Sequence, residues 1–156
     1  MEAAALTLSG ENAERFAERF VGSKANESRT SLNRRGVRNI HRYEGEGFTH
    51  VSYERAAAHE DSWLMISVLA ERVDDRTTTV VVKIGGGGEG PFKLEELTAR
   101  RFLRDEEEFG ESGRFVDVLE EITDVCASLD LDVEVTWDSS LESSTLRALE
   151  EKILHA

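Results

Sequence analysis

The chain has 156 residues, with 19 Lys or Arg against 32 Asp or Glu, a formal charge of −13 and a pI near 4.8. That length buries roughly two thirds of the unfolded surface without a disulfide or metal staple, and 39% hydrophobic residues with a single Pro argue against global disorder. Met1-Glu2-Ala3-Ala4-Ala5 carries no basic region, and the longest apolar stretch, Trp63 to Ala70, falls far short of the ~18–20 residues of a membrane span, so neither a secretory signal nor a membrane anchor is expected.

In chain order, Leu6 to Leu8 form a short apolar start. Ser9-Gly10-Glu11-Asn12 has the Ser and early Glu that open a helix, Ala13, Phe16, Ala17, Phe20 and Val21 recur at helical spacing, and Gly22 is expected to stop it. The period then changes to two. Strands are predicted at Val37 to Glu44, Phe48 to Ala56, Trp63 to Val73 and Thr77 to Ile84, with turn chemistry at 45–47, 59–61 and 74–76. Such short connections imply antiparallel hairpins, and Trp63 to Ala70, apolar at both parities, reads as a strand covered on both faces. Weak helical spacing follows Pro91 over Phe92 to Glu108. Ser112 caps a helix with a stripe of Phe115, Leu119, Ile122, Cys126 and Leu129, Leu131 to Trp137 alternate as a half-buried strand, and Ser139 with Glu142 opens a last helix to His155.

The expected order is therefore β-α-β-β-β-β-α-α-β-α, a single α+β domain over 1–156 with an antiparallel sheet of four to six strands carrying helices. Residues 131–156 extend its core. By topology it is similar to helix-grip and TATA-binding-protein-like folds, which are used for binding more often than for catalysis; that likeness is an analogy of fold alone.

The acidity is biased: Arg occurs 15 times and Lys only at 24, 83, 93 and 152, against 23 Glu and 9 Asp. This resembles the proteins of halophilic archaea. In multimolar salt the Debye length is about 3 Å or less, so a carboxylate-rich surface costs little self-repulsion. One cysteine, Cys126, allows no internal disulfide and fits a reducing cytoplasm. Gly22-Ser23, Tyr53-Glu54-Arg55, Ser62 to Val68, the strand ending in Gly85-Gly86-Gly87-Gly88, Phe92-Lys93 and Phe115 to Leu119 together resemble a family of short prokaryotic proteins classed as domains of unknown function. The resemblance spans roughly residues 6 to 125 and implies no activity; Leu131 to Ala156 departs from the family's pattern.

Candidate sites are few. Gly85, Gly87 and Gly90 satisfy G-x-G-x-x-G after a strand, so a nest of backbone N–H groups can hold an anion there, but Pro91 follows and no βαβ unit surrounds it; a bulged loop is the competing reading. From Ser23 to Arg42 the charge is +5, while the remaining 136 residues carry −18. Within that segment Arg34, Arg35, Arg38 and Arg42 are the candidate binding residues, with Arg38 and Arg42 expected on one side of a strand, where guanidinium forks suit carboxylate or phosphate. Pairing with the protein's own surplus carboxylates is the alternative. His50 with Glu54, His59 with Asp61, and Asp130, Asp132 with Glu134 are weak metal combinations lacking ligand-motif spacing, and no catalytic signature is present. No cofactor or metal is expected. The function expected is a small non-enzymatic cytoplasmic binding or protein-interaction module recognising an acidic partner or anionic ligand, with a homo-oligomer open. An enzyme using His41, His50 or Glu54 in a sheet-and-helix pocket, and a nucleic-acid-associated regulator, are the alternatives. Against nucleic acid, binding by charge alone collapses in multimolar salt.

Overall fold

The computed structural model describes residues 2–30, 36–56, 63–86 and 111–138. Strand β1, Glu2–Ser9, leads through a 3-10 turn at Ala13–Arg15 into helix α1, Phe16–Thr30. Strands β2, Val37–Gly45, β3, Phe48–Ala56, β4, Trp63–Asp74, and β5, Thr77–Gly86, follow as a meander. Helix α2, Glu111–Ser128, and strand β6, Asp132–Asp138, complete the described chain. All five pairings are antiparallel in one sheet of order β2-β3-β4-β5-β1-β6. This is the expected α+β class and sheet size, with β1 inserted between β5 and β6. The helices predicted over Phe92 to Glu108 and Ser139 to His155 lie outside the described residues.

One face of the sheet supplies the core. Leu6 and Leu8 of β1, Val51 and Tyr53 of β3, Ile66 and Val68 of β4, and Val80, Val82 and Ile84 of β5 are buried against Phe16 and Phe20 of α1 and Phe115, Leu119, Ile122 and Cys126 of α2. Burial raises the Cys126 thiol to about 12, so this cysteine is an inert apolar filler. The other face carries no described helix. On β4, Leu64, Ile66, Val68 and Ala70 are buried whereas Met65 is 57% exposed, so the strand read as covered on both faces is covered by described helices on one.

Two local expectations are corrected. Ser9 is the last residue of β1 rather than a helix cap, and Asn12, just before the 3-10 turn, sends its side-chain N–H to the Leu129 carbonyl at 3.1 Å. Gly22 does not stop α1, which continues to Thr30. The extension has a physical cause beyond the glycine: Lys24 and Glu27, on the last turns of α1, are held by partners on other elements.

Those partners form a cluster of charges at the sheet-helix interface. The Lys24 ammonium, on a side chain 3% exposed, bonds Glu27 at 3.0 Å and also Glu121 of α2. Arg55 of β3 donates to both Glu27 oxygens at 2.9 and 3.1 Å and pairs with Glu121. Two cations and two carboxylates thus close a neutral ring over α1, β3 and α2. Burial opposes the Arg55 charge, but the two carboxylates outweigh it and hold the guanidinium above its ordinary value. Lys24 also lies 5.6 Å from the Phe20 ring centre and 5.7 Å from that of Tyr53. The Tyr53 hydroxyl, buried beside the ring, has no hydrogen-bond partner among the described residues, and burial followed by the Glu121 charge drives its pKa up.

Removing one partner of a fully buried pair costs about 3–5 kcal/mol because a charge is left unpaired. Glu27 and Glu121 remain 38% and 28% exposed, which lowers that cost. Lys24→Met is therefore expected to lose about 2–4 kcal/mol in urea unfolding. Tyr53→Phe has the opposite sign: it removes a hydroxyl desolvated without a bond and should leave stability unchanged or raise it by up to about 1 kcal/mol. A loss above about 1 kcal/mol in the same titration would show that the hydroxyl is bonded in solution.

Candidate functional site

The site is read from the sheet register. In β3, Val51, Tyr53 and Arg55 face the helices, so Phe48, His50, Ser52 and Glu54 face away. Arg38 pairs with Glu54, but His41 pairs with Ser52 and Arg42 with Val51, the register shifting between Arg38 and His41. The extra residue is a bulge, and Asn39 there has a φ of 52°, in the left-handed region that Asn tolerates better than most residues. The bulge puts Arg38 and Arg42 on opposite faces, which corrects the expectation that they share one.

Neither guanidinium is free. Arg38 donates through Nε to Glu54 at 2.6 Å, Asn39 donates to the same carboxylate oxygen at 3.0 Å, and the guanidinium carbon lies 3.4 Å from the centre of the Trp63 ring. Arg42 pairs with Glu44 on its own strand. Arg34 and Arg35 lie outside the described residues. So do Gly87 and Gly90 of the glycine tract; Gly85 is a strand residue in register with Met65, and Gly86, at φ +94°, uses the conformational freedom of glycine to end the strand.

What the register does assemble is a polar row on the face that carries no described helix. Pairings place His41, Ser52, Ser67, Lys83 and Ala3 side by side across β2, β3, β4, β5 and β1. Neighbouring strands lie about 4.8 Å apart, so the row from His41 to Lys83 spans about 14 Å. His50 of the adjacent row reaches diagonally into it, its Nε2 lying 2.8 Å from the Ser67 hydroxyl. Arg38 lies in the row beyond, with Glu54 and Met65. On a chain of charge −13, this row and its flanks gather two cations, two imidazoles and two serine hydroxyls around one carboxylate.

The residues proposed for acid-base chemistry, His41, His50 and Glu54, all belong to this face. The register therefore turns them away from the two described helices. His59 and Asp61 lie outside the described residues, and no group of three or more His, Cys, Asp or Glu suited to a metal occurs among the described ones. Asp132 and Glu134 pair with Ser9 and Thr7 at the opposite edge, while Asp130 sits in the turn before β6 with φ 58°. No described helix is long and apolar enough to cross a membrane. Ser67 and Lys83 were not singled out in the sequence because each reads as an ordinary outward strand position, and only the cross-strand register joins them. Arg55 was legible: with Val51 and Tyr53 inward, strand period two places it inward too, and a charge at a core position requires a buried partner.

Comparisons with protein-family models, curated proteins and solved structures find no match to this chain. Fold and site define an open antiparallel α+β sheet with one face covered by the described helices and a basic and polar row on the other.

The Arg38 hydrogen bond, helped by that from Asn39, holds the Glu54 carboxyl below the ordinary carboxylate range against the opposing effect of desolvation. A depressed value means that the pair stabilises the fold above the ordinary Glu range and ceases to do so as pH falls through the folded-state value. Arg38→Gln is expected to raise the Glu54 midpoint towards the ordinary value, followed by carboxyl NMR, and to shift Trp63 fluorescence by removing the stacked guanidinium. An unmoved Glu54 midpoint would show that Arg38 and Glu54 are apart in solution.

Proposed function

We propose that this protein is a small non-enzymatic binding module of a halophile's cytoplasm, recognising an acidic partner or an anionic ligand around Arg38, His41, His50 and Lys83, on the sheet face that carries no described helix. The observation that carries the reading is the in-register row His41, Ser52, Ser67 and Lys83, flanked by His50 and Arg38, on an otherwise acidic chain. The halophilic setting rests on the Lys-poor, carboxylate-rich composition.

Multimolar salt restricts how such a face works. Attraction is screened within about 3 Å, so recognition depends on direct hydrogen bonds from Lys83, the hydroxyls and the imidazoles, together with burial of neighbouring apolar side chains. Arg38, already laid on Trp63 and tied to Glu54, is held in place before a ligand arrives and loses little side-chain freedom on binding.

The test is recovery of the tagged protein from its own cells at native salt, with co-purifying material identified by mass and absorbance. A stoichiometric acidic protein or small anion is expected, and Lys83→Glu combined with His41→Gln should reduce its recovery at least tenfold. Arg42→Gln, on the other face, should leave it unchanged. Equal recovery with the Lys83 and His41 variant, or bare protein in every preparation, would overturn the reading.

A further inference from the structure

On the face that carries no described helix the polar row lies between the row of Arg38, Glu54 and Met65 and two others, and the order of those two matters. Next to it runs a row of Tyr43, His50, Leu69, Val81 and Ala5, apolar apart from the imidazole. Beyond that comes Phe48, Glu71, Thr79, Thr7 and Glu134. Along the strands, these rows therefore pass from acidic through apolar to basic, successive rows lying two residues apart. Tyr43 is 64% exposed on this face, and neither Glu71 nor Lys83 makes an ion pair with a described residue.

An acid-apolar-base pattern is complementary to itself. A two-fold axis running along the apolar row brings Leu69 opposite Leu69, Val81 opposite Val81, and the acidic row of one copy over the basic row of the other. Glu71 of each copy then lies opposite Ser67 of its mate, offset sideways from the mate's Lys83 by one strand spacing of about 4.8 Å. Two twisted sheets pack this way with strands about 30° apart and an interior about 10 Å thick. We infer that the occupant of this face is a second copy of the same chain, in an isologous sheet-on-sheet dimer. The inference rests on the reading that the face is a contact surface, and it deepens it: self-association covers the groups that would meet an acidic partner and so regulates access to them.

Salt separates this dimer from one held by long-range charge. Each copy carries −13, so the copies repel at low salt, while multimolar salt screens the repulsion and strengthens apolar burial. Sedimentation equilibrium of the full chain is expected to show a reversible dimer that grows with protein concentration and on raising KCl from 0.1 to 3 M. Val81→Asp should make it monomeric with unchanged circular dichroism. Lys83→Glu should weaken it at least tenfold, and adding Glu71→Lys to that variant should restore it, because the swap exchanges the two ends of each cross-copy pair.

A monomer at millimolar concentration in 3 M KCl would overturn the inference, as would a dimer indifferent to Val81→Asp or a Lys83→Glu defect that Glu71→Lys leaves unrepaired. The two readings fail separately. A monomer that still recovers an acidic partner through Lys83 removes the dimer and keeps the binding role. A swap-repairable dimer that recovers nothing keeps the dimer and removes the external partner.

Discussion

The fold depends on where β1 lies. It is the first strand in the chain but the fifth across the sheet, paired on one side with β5 and on the other with β6. The chain must therefore travel from β1 to β2 over four strand spacings, about 19 Å, before the meander begins. Helix α1, with 15 residues at 1.5 Å each, covers about 22 Å. The crossing is the helix, and its buried stripe of Phe16 and Phe20 becomes the roof of β3 to β5. Gly22 within it is tolerated because sheet contacts before it and the charge ring after it fix both ends.

That ring also explains a division of labour among the cations. Surface pairs such as Arg42 with Glu44 sit in solvent and contribute little individually, least of all in concentrated salt. Lys24 and Arg55 are the buried Lys and Arg of the described chain, and screening by ions reaches them poorly. Each guanidinium or ammonium proton directed at Glu27 or Glu121 fixes a relative position of α1, α2 and β3. The unbonded Tyr53 hydroxyl marks the incompleteness of the network and contributes no further link.

Much of the fold was legible because turn residues and alternation agree. The four meander strands begin where the sequence places them, and they end within two residues of the expected positions. The strand β1 extends further than read, to Glu2, since Ala3, Ala4 and Ala5 offer no apolar contrast to alternate. Long-range order was not legible: nothing in Leu6 to Leu8 states that its neighbours are Val80 and Val135. The site shared this limit. Arg38 and Arg42 were separated by a single bulged residue that period-two reasoning counts as ordinary, while Ser67 and Lys83 acquire meaning only from lying side by side.

The bulge has a consequence for how this chain's length can change. Asn39 is the extra residue of β2, so a deletion of its codon would turn the strand into a regular ladder with Arg38, His41 and Tyr43 still on one face and Val37 and Arg42 on the other. Deleting any residue from the regular stretch after His41 would instead turn the rest of the strand over. Relatives of this protein should therefore tolerate a one-codon gap at this position, and the chemistry of the sheet's outer face would survive it.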